Sequence, residues 1–210
     1  MLFRSNSDTS KSSTCELIYD LLLASGHEKE IDETIAQCLY AGVMADTGSF
    51  RFPSAQASVH AMVANLKKRG LQHTPVHEAI YDNFLENRLR FIGHVLLNCM
   101  DVSYDYNTAL IAITKKDLLR YHIRTGDTEG LVNYPLSIQG IKLAALVIDR
   151  DEERKWSFRS KGNFDVNTFA RKHFQGGGHY NASGGRSLDS LEQTVAHFKT
   201  VIKEYHSQLQ

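Results

Sequence analysis

The spacing of apolar residues changes near residue 100, and this change constrains the fold more than any other feature. Before it, apolar residues recur every three or four positions, which is typical of amphipathic helices. After it come three β-rich runs, TALIAIT, IKLAALVID and KWSFRS, then a short helical pattern, a glycine-rich stretch and a final amphipathic helix. The pattern predicts a helical first part followed by an α/β domain.

The first two helices are predicted from their caps and apolar faces. Ser13 and Glu16 have capping-box spacing, and Gly26 ends the first helix. Asp32 is the expected N-cap of the second helix, which runs into ADTGSFRF. The residues expected on the two apolar faces are Ile18, Leu21 and Leu22, then Ile35, Ala36, Leu39, Tyr40 and Val43.

Two further helices are predicted in the first part. Ser54 is the expected cap of a third helix that Gly70 stops, and Thr74 is the expected cap of a fourth, with Pro75 at its first position. Apolar positions continue this fourth pattern to about Met100, which is long enough to join two domains. We therefore predict domain boundaries at 1–73, 74–103 and 104–210, with a linker helix as the middle segment.

Composition limits the classes of partner. Lys plus Arg equals Asp plus Glu, 24 each, so an anionic ligand has to be held by a few placed groups rather than by an overall basic field. Cys15, Cys38 and Cys99 lie far apart without metal or redox spacing, which favours reduced thiols and a cytoplasmic protein. No apolar run is long enough for a membrane span, and no signal peptide is visible.

The stretch FQGGGHYNASGGRS is the first candidate binding element. Gly176, Gly177 and Gly178 allow positive φ and close approach of the backbone, and successive amides can form an anion-binding nest. If HYNAS opens a helical turn, its amides add to the same site, with His179 at the rim. The alternative is a simple turn between two elements.

The end of the strand KWSFRS is the second candidate. Arg159 offers a bidentate fork for a phosphate, and Ser160 adds a hydroxyl donor. A short helical pattern separates this strand end from the glycines, so both can face one cleft. The alternative for Arg159 is an exposed charge at a strand edge.

Asp46 is the candidate metal ligand. It lies where the apolar pattern of YAGVMADTGSFRF stops, and a carboxylate there suits Mn²⁺ or Mg²⁺. The alternative is a turn aspartate that bonds its own backbone before Gly48. His73 and His77 stand four residues apart beside Glu78, but they lack further ligands and predict no metal site.

Taken together, these stretches resemble one family. GVMADTGSFRF resembles the last motif of the DHH phosphoesterase domain, and WSFRSKGNFDVNTFARKHFQGGGHYNASGG resembles the DHHA1 domain. SSTCELIYDLL resembles the segment that follows the DHH motif. Their order is similar to the subfamily of short-RNA and pAp phosphoesterases, and the likeness covers nearly the whole chain.

The resemblance implies the C-terminal part of a DHH Rossmann-like domain joined by a linker helix to an α/β DHHA1 domain with a mixed sheet. It implies hydrolysis of short single-stranded RNA, dinucleotides or pAp with two Mn²⁺ ions, Mg²⁺ being a second possibility, and a possible homodimer. Asp46 matches a metal ligand of the family. The positions that match its substrate-holding residues are Arg159, Ser160, Gly176, Gly177, Gly178 and His179.

The chain also departs from the family pattern. It contains no Asp-His-His triplet, and of the family's metal ligands only Asp46 is matched. We therefore expect a C-terminal fragment that is inactive by itself, with its catalytic residues unknown. A non-catalytic nucleotide or RNA-end binding module is the first alternative, because DHHA1-like domains also end alanyl-tRNA synthetases. A structural protein whose glycines form turns is the second, and it predicts no affinity for phosphate.

Overall fold

A computed structural model describes residues 7–150 and 152–210 of the chain. The chain forms two compact units, the first ending at Phe84 and the second beginning at Leu85. The break falls inside the segment predicted as a linker helix. Each unit buries hydrophobic side chains of its own.

The described residues of the first unit form four α-helices, and this confirms the mostly helical first part. They are α1 (Thr14–Ala24), α2 (Glu33–Asp46), α3 (Ala57–Lys68) and α4 (His73–Tyr81). A 3₁₀ turn at Glu28–Glu30 lies between the first two. The core of this unit consists of Tyr19, Ile31, Ala36, Leu39, Tyr40, Val43, Met44, Val59, Met62, Leu66 and Leu71.

Two predicted N-caps are confirmed. The Ser13 hydroxyl accepts the backbone N–H of Glu16 at 3.1 Å, and the Asp32 carboxylate accepts that of Ile35 at 2.8 Å. These bonds satisfy N–H groups that have no partner inside the helix. Gly26 follows the end of α1 with φ +79°, the left-handed conformation expected of a glycine there.

Two helices begin elsewhere than predicted. α3 begins after Gln56, because the Ser54 carbonyl accepts the Gln56 N–H at 2.9 Å in a turn before the helix. α4 begins after Gln72, so Thr74 lies inside its first turn and is not its cap. Leu71 is buried just before this start, and its packing sets where the helix can begin.

The predicted apolar face of α1 is wrong in part. Ile18 and Leu21 are 43% and 53% exposed, whereas Glu16 and Tyr19 are buried. The buried carboxylate of Glu16 accepts a hydrogen bond from the Ser58 hydroxyl at 2.8 Å, which offsets the cost of removing it from water. The side of α1 that faces the core is therefore the side of Glu16 and Tyr19, and not the side of Ile18 and Leu21.

The single linker helix predicted to about Met100 is not formed. α4 ends at Tyr81, and α5 begins only at Glu86 and runs to His94 (Glu86–His94). Ile80 and Phe84 are 37% and 40% exposed, so no continuous buried stripe supports helix across the break. After α5 the chain continues as a π turn (Val95–Cys99).

The second unit is built on a six-stranded mixed sheet in the order β1-β2-β3-β4-β6-β5. β2 and β3 are parallel, and the other neighbours are antiparallel. The three strands predicted from sequence are β2, β3 and β4, whereas β1, β5 and β6 were not predicted. The strands are β1 (Met100–Ser103), β2 (Thr108–Ile113), β3 (Leu143–Asp149), β4 (Arg154–Ser160), β5 (Gly177–His179) and β6 (Ala182–Ser187).

Helices cover the sheet unevenly. α7 (Val166–His173) and α8 (Leu191–Val201) pack on one face around an aromatic cluster that includes Trp156, Phe158, Phe169, Phe174 and Phe198. On the other face, α5, α6 (Lys115–Arg120) and a 3₁₀ segment (Leu131–Ser137) pack against β2 and β3, and the 3₁₀ segment also approaches β4. Side chains of β4 and β6 on that second face are exposed or only partly buried. Among the described helices, none is long and apolar enough to cross a membrane.

Candidate functional site

The glycine-rich stretch forms a β-hairpin at the edge of the sheet. β5 pairs antiparallel with β6, and Tyr180 and Asn181 connect them. The helical turn considered for HYNAS is therefore wrong, because Ala182 and Ser183 already belong to β6. Pairing with β4 adds hydrogen bonds to β6 that an isolated helical turn could not make.

The glycines allow the neighbouring backbone to come close. A Cβ on Gly176 would meet the Gly184 carbonyl oxygen inside contact distance and lie 2.6 Å from the Gly185 Cα. Gly178 has φ +156°, and a Cβ there would lie 2.6 Å from the Ala182 carbonyl oxygen. Close contacts within the hairpin therefore exclude side chains at positions 176 and 178, so no ligand is needed to explain these two glycines.

Two glycine amides are engaged within the protein. Gly176 donates to the Ala170 carbonyl at 3.2 Å, and Gly178 donates to Asn167 Oδ1 at 2.9 Å. These N–H groups therefore do not form the open nest considered from the sequence. A ligand at the hairpin would meet side chains that project from the sheet.

The strand register brings Arg159 and His179 into one row. Arg159 on β4 lies opposite Ala182 on β6, and Ala182 lies opposite His179 on β5. Directly opposed residues of antiparallel strands project to the same face, so both side chains belong to the sheet face opposite α7 and α8, which the 3₁₀ segment covers only in part. Two strand spacings separate their Cα atoms by about 10 Å, and only a methyl group stands between them.

Arg159 is partly buried and lacks a carboxylate partner among the described residues. Its Nη1 donates to the Phe158 carbonyl at 2.9 Å, and burial lowers the pKa of its guanidinium. The direction of the shift shows that the surroundings disfavour an uncompensated positive charge. An anionic ligand would supply the missing compensation.

Ser160 projects to the opposite face of β4 and is buried. Its hydroxyl donates to the Phe164 carbonyl at 2.7 Å and accepts from Asn181 Nδ2 at 2.9 Å. The structure therefore places Arg159 and His179 in one row on the same face of the sheet and Ser160 on the opposite face. There the Ser160 hydroxyl links the end of β4 to Asn181 in the hairpin connection.

Two more cations share the face of Arg159 and His179 and were missed in the sequence. Lys155 and Arg186 lie directly opposite each other on β4 and β6, and both are exposed. Lys155 and Arg159 are four residues apart on one strand, a spacing that puts both on one face. We call Lys155, Arg159, His179 and Arg186 the basic face. The alternation of side chains in KWSFRS is consistent with Lys155 and Arg159 sharing one face. The position of Arg186 on that face follows only from the register of β6 with β4.

Asp46 lies at the C-terminal end of α2, before a turn of unusual conformation. Gly48, Ser49 and Phe50 have φ of +58°, +56° and +64°, the left-handed region that non-glycine residues rarely occupy. The buried Thr47 closes this turn, because its hydroxyl donates to the α2 backbone and accepts the Phe50 N–H at 3.1 Å. Backbone strain of this kind persists only where the surroundings enforce it.

Comparison with known proteins gives the assignment. Residues 108–207 match the model of the DHHA1 domain. The chain is 31% identical to the bifunctional oligoribonuclease and PAP phosphatase NrnA of Bacillus subtilis, over 94% of this chain and 63% of the relative. This chain carries a DHHA1 domain. The NrnA of Thermus thermophilus is 27% identical over 90% of this chain and 56% of its own length. The chain thus spans less than two thirds of these relatives.

A solved structure supports the same fold. An exopolyphosphatase-related protein from Bacteroides fragilis superposes with a TM-score of 0.93 at 35% identity, over 100% of this chain and 63% of that one. The α/β fold class with a DHHA1 domain and mixed sheet is confirmed. The DHHA1 domain of this chain contains all four residues of the basic face.

The described residues do not complete a metal centre at Asp46. Its carboxylate is exposed, and the one group of three potential ligands that the described residues bring together excludes it. His77 lies 3.8 Å from Asp82, and His73 contacts Lys67 at 2.7 Å, so these histidines have other partners. A centre with two Mn²⁺ ions is not built by these residues alone, because two such ions need several oxygen ligands.

The turn after Asp46 can be tested through Thr47. We expect Thr47→Val to lower the free energy of unfolding of the first unit by about 1–2 kcal/mol, because valine leaves the partly buried Phe50 N–H without its acceptor. Urea unfolding followed by far-UV circular dichroism measures the change. Thr74→Val makes the same replacement at an exposed helical position and should cost less than about 0.5 kcal/mol. Equal losses in both variants would contradict this role of Thr47.

Proposed function

We propose that this chain binds the phosphate end of a short oligoribonucleotide or of PAP on the basic face of its DHHA1 domain. The observation that carries the proposal is the row of Arg159, Ala182 and His179. In this row the side chains of Arg159 and His179 lie on either side of the small side chain of Ala182. The substrate class comes from the names of the relatives, which are oligoribonucleases and PAP phosphatases.

The chemistry of the basic face suits a short anionic ligand. The Arg159 guanidinium offers a planar pair of donors that matches two phosphate oxygens, while the His179 ring can donate to phosphate or stack on a base. Lys155 and Arg186 add positive charge along the same face. Because the net charge of the chain is zero, this attraction is local and favours a ligand of a few nucleotides over a long duplex.

We further propose that Asp46 contributes one carboxylate to a Mn²⁺ centre, with Mg²⁺ as the alternative ion. Its place at the C-terminal end of α2, before a strained turn, is the supporting observation. The other ligands of that centre are not assembled around Asp46 by the described residues. Binding of nucleotide by this chain alone should therefore not lead to hydrolysis.

A non-catalytic nucleotide-binding module is the second candidate function. The exposed carboxylate of Asp46 favours it, because it belongs to no group of three potential ligands among the described residues and binding on the basic face requires no metal centre. The two candidates share the same ligand and differ only in whether product forms.

One titration tests both candidates. The chain is titrated by calorimetry with PAP and with a 5′-phosphorylated diribonucleotide, with and without Mn²⁺, and the same samples are analysed for product. We expect binding that does not depend on Mn²⁺, no product, and weaker binding of the unphosphorylated diribonucleotide. Product formation would show that the chain builds a metal centre and would overturn the statement on Asp46. Equal affinity with and without the phosphate would overturn the assignment of the basic face.

A further inference from the structure

A cluster of three potential metal ligands lies in the second unit, on the side of the sheet covered by α5 and α6. His94 is the last residue of α5, Cys99 ends the π turn, and Asp117 belongs to the first turn of α6. One turn of π-helix places residues five apart above one another, so it brings the Cys99 thiol beside the His94 ring. If the α-helix continued beyond α5, the side chains of His94 and Cys99 would point in different directions, whereas the π turn brings them together.

The three ligand atoms converge on one point. His94 Nε2 lies 3.0 Å from Asp117 Oδ1 and 3.6 Å from Cys99 Sγ, and all three atoms lie within 4.8 Å of one another. Both partners approach the same ring nitrogen. A nucleophile relay would need the carboxylate and the thiol on different ring nitrogens, so this is not the arrangement of a Cys–His–Asp catalytic triad.

We propose that His94, Cys99 and Asp117 form a Zn²⁺ site that includes neither Asp46 nor any residue of the basic face. Imidazole, thiolate and carboxylate are all zinc ligands, and a tetrahedral ion bound by Nε2 and Sγ holds these atoms about 3.5 Å apart. The nitrogen–oxygen separation around such an ion is about 3.3 Å, so the cluster needs to open by only a few tenths of an ångström. Soft and nitrogen ligands together favour Zn²⁺ over Mn²⁺ or Mg²⁺.

All three side chains of the cluster are partly buried. A bound divalent ion would deprotonate the Cys99 thiol, because thiolate ligands lose their proton to the metal. The side chains of His94 and Asp117 are only 15% and 18% exposed, so the site is partly shielded from water.

The surroundings provide support and access. Asp117 Oδ2 accepts hydrogen bonds from the backbone and hydroxyl of Thr114, which fix the carboxylate while Oδ1 faces the cluster. Asn98 contacts His94 Nδ1 at 3.2 Å and is exposed, so its amide can turn to accept the proton that moves to Nδ1. A surface depression lined in part by His94, Asn98 and Tyr121 adjoins the cluster on the side of His94.

The test is titration of the metal-free chain with Zn²⁺ and with Co²⁺ as a spectroscopic substitute. We expect one Zn²⁺ per chain by calorimetry, and a sulfur-to-cobalt charge-transfer band that shows thiolate ligation. Cys99→Ser should lose the band and weaken Zn²⁺ binding by at least about tenfold. His94→Ala should weaken binding to a similar extent. Far-UV circular dichroism verifies that both variants fold.

Matched variants separate this site from other thiols and carboxylates. Cys38→Ser removes an exposed thiol of the first unit, and Asp46→Asn removes the carboxylate proposed for Mn²⁺. Both should retain the band and the wild-type Zn²⁺ affinity. The proposal is overturned if the wild-type chain binds no Zn²⁺, if the cobalt complex lacks the thiolate band, or if Cys99→Ser binds Zn²⁺ as tightly as wild type. None of these results bears on nucleotide binding at the basic face.

Discussion

Gly176→Ala is expected to lower the free energy of unfolding of the second unit by about 3 kcal/mol, the upper end of the usual cost of overpacking. The new methyl group would meet the Gly184 carbonyl and the Gly185 Cα. Both are backbone atoms of β6, so the segment that leads into β5 has to move away from β6. Trp156, the single tryptophan, is buried in this unit, and its fluorescence during urea unfolding measures the change.

Gly177→Ala is the matched control one residue away. A Cβ at Gly177 would lie 3.3 Å from Arg171 Nε, which belongs to an exposed side chain that can move. The φ of Gly177 does not lie in the left-handed region. We expect a loss below about 1 kcal/mol. If the two alanine variants unfold at the same urea concentration, the close approach of β5 and β6 is not what requires glycine at 176.

Arg159→Ala is expected to weaken binding of a 5′-phosphorylated diribonucleotide by about 1.5–3 kcal/mol, the range for a hydrogen bond to a charged group. This corresponds to an increase in Kd of about 10- to 150-fold. The physical reason is the loss of a partly buried guanidinium that no described carboxylate compensates. Isothermal calorimetry with purified variants measures the effect.

Two further variants sharpen this test. Arg159→Lys keeps the charge but removes the planar fork, so its affinity should fall between those of wild type and alanine. Arg154→Ala lies on the same strand, five residues away, where its side chain pairs with Asp149 at 3.0 Å on the opposite face. It should change Kd less than about threefold. An Arg159→Ala variant with wild-type affinity would remove Arg159 from the site.

The candidate site was only partly accessible from the sequence. The alternation of Trp156, Phe158 and Arg159 correctly separated an apolar from a polar face of β4, because side chains alternate strictly along a strand. Arg159 and His179 share one row because β6 lies between β4 and β5, and sequence order does not reveal strand order. The glycines themselves obscured β5 and β6, because they lack the β-branched side chains that mark a strand.

Helix boundaries were predictable where a local hydrogen bond decides them and not where packing does. Ser13 and Asp32 were identified because an N-cap is a contact over three residues. The interruption between α4 and α5 was missed, because the apolar pattern continues through Ile80 and Phe84 although both are largely exposed. Likewise, burial of Glu16 depends on Ser58, which lies 42 residues further along the chain.

The sequence by itself determined the change from helical to α/β organisation, the strands β2, β3 and β4, and the resemblance to the DHH/DHHA1 family, because these follow from local periodicity and contiguous motifs. The tertiary structure alone decided that the glycine stretch is a hairpin, that Arg159, His179, Lys155 and Arg186 share one face, and that a π turn brings Cys99 to His94 and Asp117. These features depend on contacts between residues distant in sequence, and the pattern within a single segment does not specify them.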